Sequence, residues 1–493
     1  MSSTPVRVRF APSPTGLLHI GGLRTALYNY LFARRNGGTF VLRIEDTDQK
    51  RYVADAEKDI LSSLKWAGLA VDEGPEVPGA CGPYRQSERS DLYRRYATEL
   101  VASGKAYYAF DTPEEIEAVR EAEGETFRYD AIIRNKMKNS LTLPEEEVQE
   151  RLRSEEPYVI RLKVPVGETI AFDDLVRGHV RFDTSEVDDQ VLMKSDGLPT
   201  YHLANVVDDH EMAISHVIRG EEWLPSAPKH VLLYRALGWT PPVMAHLPLI
   251  MSPAGGKLSK RKAEEQGIMV NVCDYAEAFY EPEALINFLA LLGWNPGDER
   301  ELFTLDELCE VFDLARVGKS GAVFNKDKLH WFNAQYLRAK APESLVPAAR
   351  YILEKEGLGS GCDDAFIAGV IRLMAERIET ISALPQAASF FFGAPDTYEE
   401  KPVKKAWKEN TADLVNTYIR TIDGLSEFGA VELKAALVSV VEDAGVGMGK
   451  LMLPVRIAVT GLGGGPDLFQ TMQLLGKEEV ISRLRTATEK LGS

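Results

Sequence analysis

Cysteine is scarce in this chain. Cys81, Cys273, Cys309 and Cys362 are the four in 493 residues, widely separated and never in a CxxC pair. That argues against a disulfide framework and against a cysteine-built zinc site, and it fits a reducing, cytoplasmic compartment. Long apolar runs are missing too: no stretch of about 18 apolar residues occurs, so neither a membrane span nor a membrane partner is expected. The first residues carry no basic stretch leading into an apolar core, so they do not read as a signal peptide. Two nucleotide and acyl-transfer signatures fail. Near Gly449-Lys450 the first glycine that a Gly-x-x-x-x-Gly-Lys-Ser/Thr loop needs is Ala444, and Leu451 follows the lysine. No Gly-x-Ser-x-Gly nucleophile elbow is present. His202, His210 and Glu211 lack the His-x-x-x-His spacing and a third ligand, so no metal is expected there. No repeat or low-complexity tract appears.

Positive charge is also in deficit. The formal net charge is −17, which argues against a protein that holds nucleic acid by general attraction. A locally basic face stays open. Within the first 51 residues Arg7, Arg9, Arg24, Arg34, Arg35, Arg43, Lys50 and Arg51 face only Glu45, Asp46 and Asp48. Any one of these arginines alone reads as a solvated surface charge.

What is present is organised in blocks, and the length implies three or more units. Val6 to Phe10 predicts a strand, and Ala11-Pro12-Ser13-Pro14-Thr15-Gly16 must be a loop. From His19 a helix is predicted, since Leu23, Ala26, Leu27, Tyr30 and Leu31 recur at one-face spacing. Asn36-Gly37-Gly38 ends it, and Phe40 to Ile44 reads as a second strand. Strand, helix, strand within so short a span is a βαβ unit, hence a parallel sheet and an α/β fold. Residues from about 106 to 200 look like an insertion, with charged helices (Thr112 to Glu123, Pro144 to Glu155) and an alternating strand at Tyr158 to Val164. After a turn at Asp196 to Thr200, α/β character returns with a strand at Val217 to Arg219 and a helix at Lys229 to Leu237. From about 275 the pattern is helical, through Glu281 to Leu292, Leu305 to Phe312, Asp364 to Ile381 and Val431 to Ala444.

Four stretches carry chemistry. In Pro12 to Gly22 a loop enters a helix, whose free N–H groups and dipole suit phosphate. Gly21 and Gly22 allow close approach, and His19 can donate to phosphate oxygens, although alone it reads as a helix cap or a satisfied core histidine. In Arg43-Ile44-Glu45-Asp46-Thr47-Asp48, carboxylates sit past a strand end, where parallel sheets hold ligands. Glu45 could bind an ammonium, or the block could be a charged turn with a cap at Thr47 or Asp48. Gly255 to Lys262 places Lys257 and Lys260 on a glycine-hinged loop, suited to neutralising charge on leaving pyrophosphate, or simply solvated. The fourth, Thr200 to His210 followed by Val217 to Trp223, contains Arg219. With Arg9 it could fork onto a carboxylate; Tyr201 and Asn205 alone read as packing residues.

Together these stretches resemble the class I glutamyl-tRNA synthetases. His19 to Gly22 is similar to the HIGH signature, with Gly22 at the fourth position, and Lys257-Leu258-Ser259-Lys260-Arg261 resembles KMSKS. Arg9 to Gly16 and Arg43 to Asp48 look like the glutamyl branch. The likeness is sharp over 7–52, 83–89 and 196–262 and looser after about 335. It implies a Rossmann-type catalytic domain (1–105 and 201–265), an inserted α+β domain for the tRNA acceptor (106–200), a helical stem-contact domain (266–335) and a helical anticodon-binding domain (336–493). It further implies that ATP meets Pro12, Ser13, Thr15, Gly16, His19, Gly21, Gly22, Lys257, Ser259 and Lys260, with catalysis by His19, Lys257 and Lys260. Glutamate would meet Arg9, Ser13, Glu45, Tyr201, Asn205 and Arg219. Mg²⁺ accompanies ATP, no zinc is expected, and the partners are tRNA(Glu), ATP and L-glutamate, with a monomer expected. The rivals are a glutaminyl-tRNA synthetase, which needs a neutral amide pocket, a tRNA-modifying glutamyl transferase, which lacks residues 335–493, and a catalytically dead tRNA-binding module.

Overall fold

The computed structural model describes residues 5–48, 51, 53–124 and 127–492; Lys50 lies outside them. Two compact units form. One comprises the residues up to Ala276 together with Leu285–Lys326, and the other Glu277–Ala284 and the residues from Asp327 onward.

In the first unit, β1 (Arg7–Phe10), α1 (Ile20–Arg35) and β2 (Thr39–Leu42) build the expected parallel pair with its crossover. Gly37 takes φ +58° just past the helix end, a left-handed conformation that glycine adopts without strain. Phe40, Val41 and Leu42 are fully buried, as in a strand covered on both faces. Helix α1 departs from a one-face reading. Leu23, Ala26, Leu27, Tyr30 and Leu31 are buried as predicted, but so are Arg24, Tyr28 and Asn29. Backbone carbonyls accept from their polar tips: Arg24 Nη1 donates to Leu292 O at 3.0 Å, Tyr28 OH to Ala290 O at 3.0 Å and Asn29 Nδ2 to Ile218 O at 3.0 Å.

Beyond α2 (Ala56–Trp66) and α3 (Ser90–Ala102) lie β3 (Ala106–Ala109), α4 (Pro113–Glu123), α5 (Glu145–Arg153), β4 (Val159–Leu162), β5 (Thr169–Asp174), β6 (Gly178–Asp183) and β7 (Val191–Met193). A capping box of Thr112 and Glu115 opens α4. β3, β4 and β7 form their own antiparallel sheet. β5 and β6 do not join it. With α6 (Tyr201–Glu211), β8 (His216–Gly220), α7 (Ala227–Ala236) and β9 (Val243–Leu247) in place, a sheet of order β6-β5-β9-β8 forms, in which β5 and β8 both run parallel to β9. Ser215, at the start of β8, bonds both backbone groups of Arg7, so β1 and β8 begin side by side. Their C-terminal ends share one edge, where parallel sheets place ligands. β10 (Ile250–Met251) and α8 (Lys260–Glu265) follow.

Among its described residues, the second unit is helical throughout. One of its cores gathers Leu337, Leu353, Ile371 and Phe391, and another Tyr418, Leu437, Val455 and Leu484. The helix expected over 364–381 stops at Met374. Arg338 Nε donates to the Ala375 carbonyl at 3.1 Å, while Ile378 and Ile381 stay buried outside the α-helix, Ile381 opening a short 3-10 turn. Among the described residues no helix is long and apolar enough to cross a membrane.

Candidate active site

A cleft of about 630 Å³ opens at the shared strand edge. Its lining includes Arg9, Pro12, Ser13, Thr15, Gly16, His19, Gly21, Gly22, Glu45, Tyr201, Asn205, Arg219, Lys257 and Lys260. Of the residues the sequence singles out, Ser259 is not among the lining; its hydroxyl instead accepts the Lys262 N–H at 3.4 Å, capping α8. The two signature loops are joined by backbone. Ile20 N donates to Val270 O at 2.9 Å and Val272 N to Leu18 O at 2.8 Å, so the segment after α8 runs against the start of α1.

On the α1 side, His19 is the N-cap. Its Nδ1 accepts the Gly22 N–H at 3.0 Å. Capping and anion binding are therefore compatible: with Nδ1 an acceptor, a neutral ring carries its proton on Nε2 and can donate from there. Burial by the surrounding protein lowers the His19 pKa, and Lys257 and Lys260 lower it further against the opposing pull of Glu222. A Cβ at Gly21 would sit 3.0 Å from His19 Nδ1, so this glycine makes room for the ring as well as for a ligand. On the opposite loop, Gly255 and Gly256 have φ +87° and +72°, and Lys262 Nζ donates to Gly255 O at 2.6 Å. Lys260 has no carboxylate partner among the described residues, and Lys257 only a distant one, Glu222 at 3.9 Å.

Deeper in the cleft the charges are paired. Glu45 Oε1 accepts from Arg43 Nη2 and Asn205 Nδ2, both at 3.0 Å. Burial raises the Glu45 pKa, with Arg43 and Arg9 opposing. Arg43 is fully buried and also reaches Asp209 Oδ1 at 2.7 Å. Arg9 forks onto Asp209, Nε to Oδ1 at 3.0 Å and Nη2 to Oδ2 at 3.4 Å. Burial would raise the Asp209 pKa, but Arg9 and Arg43 outweigh it and hold the carboxyl below its ordinary value. Arg219 has no carboxylate partner among the described residues: Nη1 donates to Tyr201 OH at 3.0 Å and Nε to His246 Nε2 at 3.1 Å. Trp223 packs on Tyr201, ring centroids 4.6 Å apart.

Residues 5–331 match the family of class I tRNA synthetases (E and Q), catalytic domain, and residues 338–488 match an anticodon binding domain. A glutamate–tRNA ligase of Christiangramia forsetii is 49% identical over 99% of this chain and 100% of its own length, and one of Porphyromonas gingivalis is 50% identical over 99% of both. The chain belongs to the glutamate–tRNA ligases. Among solved structures, the glutamate tRNA ligase of Elizabethkingia meningosepticum, in complex with its amino acid, superposes with a TM-score of 0.95 at 46% identity, over 99% of this chain and 100% of that one. The glutamate-tRNA synthetase of Elizabethkingia anophelis gives 0.93 at 45%, over the same shares of the two chains.

Behind the cleft lie charged residues that the sequence did not single out for it. Asp209, Arg43 and Arg89 form a buried ionic floor with Asp208; the spacing of Tyr201, Asn205 and Asp208 along α6 is the signal that could have revealed it. Asp46 turns away from ligand duty and accepts the Ser87 N–H at 2.8 Å and hydroxyl at 2.6 Å. Most of the basic bias of the first 51 residues is taken up within the fold, Arg35 staying exposed. Arg7 pairs with Glu73, Arg34 with Asp72 and Arg51 with Asp48, while Arg9 and Arg43 are buried on Asp209. Among the described residues no cluster of three His, Cys, Asp or Glu could hold a metal.

Proposed function

We propose that this ligase activates L-glutamate with ATP, releasing pyrophosphate, and passes the glutamyl group to the 2′-hydroxyl of the terminal adenosine of tRNA(Glu). The observation that carries the reading is that Gly21 and Lys260 line one cleft together with Glu45 and Arg219. In step one the glutamate α-carboxylate attacks the α-phosphorus of ATP. The protein supplies no nucleophile, so catalysis rests on positioning and charge stabilisation.

In this reading Glu45 receives the α-ammonium on Oε2, its Oε1 being taken by Arg43 and Asn205. Arg219 receives the side-chain carboxylate with Tyr201 beside it. Arg9, two of its nitrogens already on Asp209, contributes Nη1 alone. Asn205 orients Glu45, and Ser13 bounds the rim. Pro12, Thr15, Gly16, Gly21 and Gly22 shape the phosphate approach, His19 donates from Nε2, and Lys257 and Lys260 neutralise the departing pyrophosphate. Mg²⁺ enters as part of the ATP substrate, held mainly by phosphate oxygens. Residues 106–200 contact the acceptor arm, 266–335 the stem and 336–493 the anticodon. The enzyme acts as a cytoplasmic monomer, and tRNA binding precedes efficient activation.

Charging of purified tRNA(Glu) with glutamate and glutamine side by side tests the substrate. Glutamate is expected on the tRNA, and preferential glutamine charging would overturn the reading. ATP–pyrophosphate exchange should rise on addition of tRNA(Glu).

A further inference from the structure

We propose that Asp174 and His246 are positioning residues that lock Arg219 in its ligand-receiving conformation while leaving its positive charge uncancelled, and so help set specificity for an anionic side chain. The proposal rests on the reading of Arg219 given above. Three adjacent strands supply one residue each. Across β8 and β9, Arg219 is in register with His246, and β5 delivers Asp174 opposite Met244. All three side chains are buried. Asp174 Oδ2 meets His246 Nδ1 at 2.6 Å, His246 Nε2 meets Arg219 Nε at 3.1 Å, and Arg219 Nη1 reaches Tyr201 OH at 3.0 Å.

The protons along this chain are fixed by its ends. Asp174 Oδ1 accepts the backbone N–H groups of Val176 at 3.0 Å, Arg177 at 2.8 Å and His246 at 3.2 Å. Burial would raise the Asp174 pKa, but the His246 bond and these N–H groups outweigh it and lower it. Burial lowers the His246 pKa, against the opposing bond to Asp174. The ring is therefore neutral, with its proton on Nδ1 facing a carboxylate. Its Nε2 must then be an acceptor, and an arginine Nε–H is a fixed donor. Rotating Arg219 away would leave a buried acceptor unpaired, which disfavours the rotation.

The contrast with Arg9 shows what the arrangement accomplishes. Arg9 is held by a carboxylate, Asp209, which cancels its charge locally. Arg219 is held by neutral groups: His246, Tyr201, His230 Nδ1 at 3.4 Å and the Trp223 carbonyl at 3.4 Å. The anchoring carboxylate stands one imidazole further back. The guanidinium is rigid yet electrostatically unspent, and a buried cation of that kind favours a carboxylate ligand over its amide.

The test uses the full-length enzyme with tRNA(Glu) and reads KM for glutamate and for ATP separately. Asp174→Asn can keep all three backbone bonds on its amide oxygen but turns its NH₂ toward His246. The imidazole must then accept at Nδ1 and carry its proton on Nε2, facing the Arg219 Nε–H donor to donor. Glutamate KM should rise about tenfold or more, the scale of one buried donor left unpaired, with ATP KM within twofold. His246→Gln presents an amide oxygen to Arg219 whatever stands at 174, so Asp174→Asn in that background should cost less than twofold more. Arg219→Gln is the control for the underlying reading. If it leaves glutamate KM unchanged, Arg219 does not bind the substrate and the dyad falls with it. If Arg219→Gln raises glutamate KM but Asp174→Asn does not, the dyad alone is overturned. Equal rises in both KM values for Asp174→Asn, or costs that multiply in the double variant, would likewise reduce the pair to a structural role and overturn the proposal.

Discussion

Lys260 begins α8 with no carboxylate near it among the described residues, so its charge is available to a ligand. Lys260→Ala should slow glutamate activation by a factor corresponding to about 3 kcal/mol of lost transition-state stabilisation. Pyrophosphate exchange in the presence of tRNA measures it, and an unchanged rate would remove Lys260 from the reaction. His202 makes a different statement. Burial, aided by Lys229, pushes its pKa down to about 4, below the unfolded value of about 6.5. The folded state thus favours the neutral ring. Stability from this group is complete above about pH 6.5 and is lost as pH falls toward 4, with a limiting slope of about 1.4 kcal/mol per pH unit. Denaturant unfolding at a series of pH values should show that loss, and His202→Asn should flatten it. Single residues were partly legible in the sequence. His19, Glu45 and Arg219 announce themselves through their neighbours in the chain. Asp174, His246 and Asp209 do not, because what qualifies them is a partner on another strand or helix.

The lysine loop turns on two glycines that share left-handed backbone. Gly256→Ala would place a methyl 2.8 Å from Lys262 Nζ and strain the φ of +72°, at a cost of about 1–2 kcal/mol. The loop should sample its present shape less often. ATP KM should rise and turnover fall while glutamate KM holds, which steady-state kinetics with each substrate varied will show. Element positions were readable wherever period and breakers agreed. α1, α4 and β8 fall where the apolar spacing, the charge-rich stretch at Thr112 to Glu123 and the strand at Val217 to Arg219 put them. The second buried side of α1 was not readable, because Arg24, Tyr28 and Asn29 are polar letters whose burial depends on carbonyls far along the chain. The shortened helix at Met374 was hidden for the opposite reason: Ile378 and Ile381 keep the apolar period of an α-helix that the backbone has already left.

Two compact units and a net charge of −17 describe the molecule at its largest scale. Of the early arginines, Arg7 and Arg34 are held by carboxylates and Arg9, Arg24 and Arg43 are buried, while Arg35 stays exposed. All four cysteines are free thiols, and no metal cluster is formed among the described residues. Exhaustive EDTA dialysis should therefore leave the thermal midpoint unchanged, with aminoacylation returning on addition of Mg²⁺ alone; a midpoint that falls and is restored by zinc would contradict this. β5 bears on how such a molecule can be taken apart. It lies inside the span 106–200, which reads on paper as a removable cassette, yet it is stitched into the sheet that bears Arg219. A chimera that swaps that whole span with a relative would exchange part of the amino-acid pocket's foundation together with whatever surface the swap was meant to carry. Splice points that spare Thr169 to Asp183 would keep the host's own pocket.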